Sequence, residues 1–321
     1  MSHALRLLGL LLGVAVLAWL VAQADLTELI DVFPRIGWGF LAILAVRAAT
    51  IVLNAAAWHC LIPFQDRPPF ATLVAFRWIG EAINATLPAA QIGGDVVRAR
   101  LLQQRISAPA RGAASVAVDF CITLVAQILF TVLGFFLLVW LSAEASWWPL
   151  VITAALLPVF GIFCWELLVR RRLLAALERG LLRLGRRRMA VSVQALGAAL
   201  ELVASSRAAL ALSLALHMVT FFGHAVETWL TLYLMGAPTG FAAALMLESI
   251  SFAARSAAFL IPSGWGAQEA TLVALAAAAG LSPDAALALG LVKRAREFAI
   301  GLPGLAAWGM AERRRTVRLP G

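Results

Sequence analysis

Charge is scarce in this chain. Only 13% of its 321 residues are Asp, Glu, Lys or Arg, while 62% are hydrophobic and the mean hydropathy is +0.90. Soluble domains carry about 25% charged residues, so a water-soluble globule is excluded. Regular alternation of polar and apolar residues is also missing from the hydrophobic runs, which excludes a membrane β-barrel. Cysteine is limited to Cys60, Cys121 and Cys164, all in or beside apolar runs, with neither metal spacing nor a disulfide framework. They read as buried, inert thiols. No Ser/His/Asp arrangement, Gly-Lys-Ser/Thr phosphate loop or paired Asp-rich prenyl-diphosphate motif occurs. No catalytic set is legible, and neither a cofactor nor a metal is expected.

The remaining class is an all-α integral membrane protein, a polytopic bundle forming one transmembrane domain over residues 1–321. About six runs are long enough to span a bilayer, which needs about 20 apolar residues. They are Leu7–Ala22, Gly37–Ile62, Gly112–Leu141, Trp147–Trp165, Ala208–Met235 and Ala285–Met310. Leu7–Ala22 lacks a clear small-residue cleavage site and reads as a retained helix, not a signal peptide. Two further stretches, 70–100 and 240–283, are apolar but broken by proline, glycine and charge. Both are expected to be re-entrant segments. Val191–Ser206 reads as an amphipathic, interfacial helix.

The net charge is +9, from 26 Lys+Arg against 17 Asp+Glu. The excess sits in short connections, above all at Arg170, Arg171, Arg172, Arg179, Arg183, Arg186, Arg187 and Arg188. Placed between apolar runs, these arginines suit cytoplasmic anionic headgroups and give no reason to expect nucleic acid. The segment 170–206 and the tail at 313–318 are therefore placed in the cytoplasm. Counting spans puts both termini there and the acidic links at 25–31 and 142–146 outside. Segment 70–100 then enters from the cytoplasm and 240–283 from the opposite face. That is the pattern of an inverted repeat, echoed weakly by Glu81-Ala-Ile-Asn84 and Glu248-Ser-Ile-Ser251.

Ionisable residues inside spans are the main functional signal, because an isolated charge there costs about 2.5–3.5 kcal/mol even on insertion scales. Arg47 and Asn54 share a helical face, as do Asp119, Thr123 and Gln127, and again Glu248, Ser251 and Arg255. Lys293, Arg294, Arg296 and Glu297 crowd the last span. Such groups either staple the bundle as ion pairs or face a ligand. His217, His224 and Glu227 share one face and resemble half of a carboxylate metal site, but a polar stripe or proton-coupled contact fits better. The candidate lipid-binding residues lie beside the two breaks. Arg98, Arg255 and Arg294 would engage a headgroup through their planar guanidinium forks. Glu81, Glu248, Glu269 and Asp95 would balance them or relay protons. Pro88, Gly93, Gly94, Pro262, Gly264 and Gly266 would break the helices and let backbone approach a ligand.

At these motifs the chain resembles the lysylphosphatidylglycerol synthase transmembrane (flippase-like) domain family. The resemblance rests on Leu87-Pro88 through Gly93-Gly94-Asp95 and Arg98, then on Pro262-Ser-Gly264-Trp-Gly266 and Glu269. Among the branches it is most similar to the stand-alone hopanoid-biosynthesis-associated membrane proteins. The resemblance implies movement of a polar-headed lipid, a hopanoid or a phospholipid, across a bacterial inner membrane. In the lysylphosphatidylglycerol enzymes a similar domain is fused to a soluble aminoacyl-transferase. This chain shows no such region, so aminoacylation is not expected. The expected partners are membrane lipids, anionic headgroups at the basic loop, and lipid-biosynthesis enzymes. An integral membrane transferase, a small-solute or ion transporter, and a scaffold acting through the basic loop remain the alternatives.

Overall fold

The computed structural model describes residues 32–86, 93–142, 148, 152, 172–184, 186–258 and 266–316. The expected span Leu7–Ala22, nearly all of Trp147–Trp165, and Pro88, Pro262 and Gly264 lie outside the described residues. Within the described residues the fold is all-α.

Four helices form a first group: α1 (Gly39–Leu61), α2 (Phe70–Thr86), α3 (Gly93–Gln103) and α4 (Pro109–Leu141). Two basic helices follow, α5 (Arg172–Arg183) and α6 (Arg187–Ala204). A second group repeats the first: α7 (Arg207–Leu234), α8 (Phe241–Ala257), α9 (Ala267–Leu275) and α10 (Pro283–Thr316). In order, the two groups measure 23, 17, 11 and 33 residues against 28, 17, 9 and 34. The two groups thus correspond in helix order and, at the second and fourth helices, closely in length.

Local chemistry fixes the boundaries. Pro109 starts α4 and Pro283 starts α10, where a missing N–H costs nothing. Ser206 caps α7 by accepting from Ala209 N–H at 3.3 Å, and Ser282 caps α10 through Ala285 N–H at 3.1 Å. Gly266 precedes α9 with φ +78°, a conformation that side chains resist.

In each group the chain doubles back after the second helix. Asn84 Oδ1 accepts from Gly94 N–H at 2.8 Å, so α3 runs back beside α2. The base of this hairpin is closed by Arg111 donating to Asp66 at 2.9 Å. The second hairpin, α8–α9, is closed at its base by Thr239 donating to the Ala279 carbonyl at 2.8 Å. Each hairpin therefore leaves by the end at which it entered.

Helices α1 and α7 pair antiparallel. Gly39 lies against Leu234, Arg47 against His224, Thr50 against Gly223 and Asn54 against His217, one number rising as the other falls. Around this pair the groups pack crosswise: α2 on α10 and α4 on α8. A small residue on the long helix permits each crossing. Gly304 meets Ala82 and Trp78, and Gly134 meets Ser249. The antiparallel pair and the crosswise contacts are what a two-fold axis between inverted halves produces.

Each group also has its own apolar core. Trp58, Ile62, Leu73, Phe76, Ile79, Ile83, Leu101 and Leu102 fill the first. Met246, Leu247, Ile250, Leu272, Leu287, Leu289 and Val292 are part of the second. Among the described residues, α1, α4 and α7 are long and apolar enough to cross a membrane. At 23 residues α1 is about 35 Å long, against a hydrocarbon core of about 30 Å. The expected last span lies within α10, a single 34-residue helix that also carries Lys293, Arg294, Arg296 and Glu297. The amphipathic α6 lays Ala199, Leu200 and Val203 on α4 and the end of α1, while Arg179, Arg183, Arg186 and Arg187 remain exposed.

Candidate functional site

The charges that the sequence strews through the apolar runs converge on the middle of the bundle. They form two hydrogen-bonded networks, one per group, on either side of a cavity of about 410 Å³.

In the first network, Glu81 of α2 accepts from Arg47 at 2.7 Å, Arg77 at 3.0 Å and Asn54 at 3.1 Å. Asp119 of α4, fully buried, accepts from Arg77 at 3.0 Å and Arg98 at 2.7 Å, both on Oδ2. Its Oδ1 lies 3.0 Å from His217 Nε2. Arg98 also donates to Asp95 at 2.8 Å and lies over the ring of Trp58 at 4.7 Å. Burial holds this guanidinium flat: two carboxylates take its edge and an aromatic face takes its plane.

In the second network, Lys293 of α10 donates to Glu248 of α8 and to Thr228 of α7. Glu297 accepts from Arg255, from Arg294 at 2.9 Å and from Arg296 at 3.4 Å. Arg296 also donates to Glu227. Glu269 accepts from Arg294 at 2.7 Å and from Gly266 N–H at 2.8 Å, so one carboxylate caps α9 and ties it to α10.

The two networks correspond with their signs exchanged. Arg77 is the eighth residue of α2 and Glu248 the eighth of α8. Asp119 is the eleventh residue of α4 and Lys293 the eleventh of α10. Arg77–Asp119 and Glu248–Lys293 are therefore the same contact, with cation and carboxylate swapped. Each network is also balanced. Arg47, Arg77 and Arg98 face Glu81, Asp95 and Asp119. Arg255, Lys293, Arg294 and Arg296 face Glu227, Glu248, Glu269 and Glu297. Balance is what lets so much charge leave water, since a lone buried ion is far costlier than a paired one.

The residues singled out from the sequence divide into four sets. Glu81, Asp95, Arg98, Glu248 and Arg255 line the cavity. Arg294 and Glu269 are buried outside its lining, joining α10 to α9. Gly93, Gly94 and Gly266 stand at the starts of α3 and α9, also outside the lining, and Gly94 presses on the backbone of Gly80. Pro88, Pro262 and Gly264 fall outside the described residues. The cavity wall further contains Arg47, Arg77, Asn54, Arg296, Glu297 and Gln268. The signal for these was already present, since each is a polar residue within or beside an apolar run. His224 stacks on Phe252 and contacts Arg47, while Glu227 pairs with Arg296, so the two do not share a ligand position.

A helical bundle with apolar spans and a charged cavity at its centre defines a polytopic membrane protein. The chain matches the family model described as the lysylphosphatidylglycerol synthase TM region over residues 6–304. It belongs to that family, and is a membrane protein of a lipid-handling group. No curated protein and no solved structure matches it.

Proposed function

We propose that this protein moves a polar-headed lipid, a phospholipid or a hopanoid, between the leaflets of a bacterial inner membrane. The observation that carries the reading is the charged cavity between the inverted halves. Its volume of about 410 Å³ falls within the range of small-molecule sites, about 300–1,000 Å³. Arginine, aspartate and glutamate side chains stand in its wall beside Phe120, Leu124, Phe221 and Phe252, which suits a charged headgroup joined to an apolar body. The tails would remain in the bilayer while the head crosses. Arg47 and Arg255 are the more open cations, with side chains 21% and 15% exposed, and would make first contact with a phosphate or hydroxyl-bearing head. Asp95 and Glu81, at 22% and 16%, would take its donors.

The proposal needs no bond-making step, so the protein would act as a carrier and not as an enzyme. The exposed arginines of α5 and α6 would lie on the anionic cytoplasmic leaflet, with both chain termini on that side. The test is reconstitution into vesicles holding a fluorescent phospholipid in both leaflets, with an external quencher. Wild-type protein should bring inner-leaflet lipid to the quencher faster than empty vesicles do. Arg255→Gln, which breaks the more open contact with Glu297, should slow it. Equal rates for protein-containing and empty vesicles, across phospholipid and hopanoid probes, would reject the proposal.

A further inference from the structure

His217 lies just behind the cavity wall on α7, only 1% exposed, where α1 and α4 converge. Its neighbours fix how many hydrogens its ring carries. Asn54 Nδ2 donates to the Glu81 carboxylate at 3.1 Å, since the reverse orientation would set the amide oxygen against it. The Asn54 oxygen is then the atom 3.1 Å from His217 Nδ1, and Nδ1 must bear a hydrogen. On the other side, Nε2 lies 3.0 Å from Asp119 Oδ1 and 3.2 Å from Thr123 Oγ1. The Thr123 hydroxyl hydrogen is already given to the Asp119 main-chain carbonyl at 2.8 Å. Nε2 therefore faces two acceptors, and a second hydrogen must lie between the ring and Asp119. Asp119 already accepts from Arg77 and Arg98 on Oδ2, so it acts as the acceptor here and that hydrogen is assigned to the imidazole.

We propose that His217, with Asp119, is a proton-binding site whose occupancy sets the charge of the cavity and couples headgroup movement to a proton gradient. The coupling rests on the translocase reading above. With the proton bound, Arg47, Arg77, Arg98 and His217 face three carboxylates, and the first network carries one surplus positive charge. Without it, the network is neutral, and Nε2 turns a lone pair toward Asp119. The second network is balanced in both states. An anionic headgroup is thus best accommodated together with the proton, and loss of either disfavours the other.

Arg207 at the start of α7 is exposed, and the other charges around α7 are paired. On α7 itself, His224 meets Arg47 of α1, and Glu227 pairs with Arg296 of α10. Thr228 meets Glu248 of α8 and Lys293 of α10, three turns from His217. Glu81 of α2 reaches His217 through Asn54, while Arg77 of α2 and Arg98 of α3 reach it through Asp119.

Two measurements on the full chain decide the matter. The first is the ¹⁵N spectrum of protein labelled at its four histidines, with His217→Gln used to assign His217. Wild-type His217 should show two protonated ring nitrogens at neutral pH. A ring with one bare nitrogen at neutral pH overturns the site. The second uses vesicles with a fluorescent anionic phospholipid. With one proton moving per lipid, a one-unit pH difference should change the equilibrium leaflet ratio about tenfold, because one pH unit corresponds to a factor of ten. His217→Gln should give the same ratio with and without the gradient. Wild-type lipid movement that ignores the gradient overturns the coupling and leaves the translocase reading standing. No lipid movement under any gradient overturns the translocase reading and the coupling with it, and the spectrum alone then decides the proton site.

Discussion

Gly94→Ala is the sharpest probe of how the first hairpin is built. Gly94 follows the break, and the sequence suggests a glycine that admits a ligand. In the fold its neighbour is protein: a methyl group at Gly94 would sit 2.0 Å from the Gly80 carbonyl oxygen and 2.7 Å from its carbon. An ordinary contact needs about 3.5 Å, so α2 and α3 would have to separate by about 1.5 Å. The obstacle is backbone, which cannot rotate away as a side chain would. Overpacking of this kind costs about 1–3 kcal/mol. Separation also stretches the 2.8 Å bond from Gly94 N–H to Asn84, a further loss of about 1 kcal/mol. Against this, alanine gains about 1 kcal/mol of helix propensity over glycine. The balance is a net loss of about 1–3 kcal/mol. Gly180→Ala on α5 is the control, because nothing lies within 4 Å of the added methyl. There only the propensity gain of about 1 kcal/mol remains, and the sign reverses. Both variants can be unfolded reversibly in mixed micelles by titration with dodecyl sulfate, followed by circular dichroism. If Gly94→Ala is as stable as wild type, or moves in the same direction as Gly180→Ala, the close-packed hairpin is wrong.

Lys293→Met strands the buried Glu248 carboxylate and should cost about 3–5 kcal/mol, whereas Lys293→Met with Glu248→Leu should recover most of it, so a double-mutant cycle by the same unfolding assay must be strongly non-additive. Trp58→Phe keeps an aromatic face under Arg98 but removes the indole N–H that donates to Ser115 at 3.1 Å. It should cost about 1 kcal/mol by that assay, and a loss beyond about 3 kcal/mol would mean that Phe does not preserve the stacking.

The class of fold was legible in the sequence because lipid imposes a length and a composition on any helix that crosses it. α1, α4 and α7 stand out for that reason. α10 was harder, since its charges resemble an interruption; only the partners on α7, α8 and α9 show how a continuous helix can bury four ions. The turns between α2 and α3 and between α8 and α9 fall where the sequence places proline, glycine and charge together. The repeat was nearly illegible. Two halves related by an in-plane axis need the same helix lengths and the same crossings, but any residue pair that packs equally well will serve. The candidate charges were all visible one by one. Their partners were not, because spacing along one helix reports a shared face and says nothing about which other helix meets it. Arg47 and Glu81 are thirty-four positions apart, and Asn54 and His217 many more. The roles given to the glycines illustrate the same limit. A glycine marks a close approach, and only the fold shows that the approaching group at Gly94 is the main chain of Gly80.

The sign exchange between the halves bears on how such a cavity can work. If both halves carried a cation at the eighth position of the short helix and an acid at the eleventh of the long one, each could form its own pair and nothing would distinguish them. Here the first half places its cation on the hairpin helix α2 and its acid on the long helix α4, while the second half does the reverse. Any rocking of the hairpins against the long helices therefore moves cation-bearing backbone on one side and carboxylate-bearing backbone on the other. The field in the cavity would change direction without any change in total charge. Charge balance within each network keeps the bundle tolerable in lipid, and charge inversion between them makes the two halves electrically distinct.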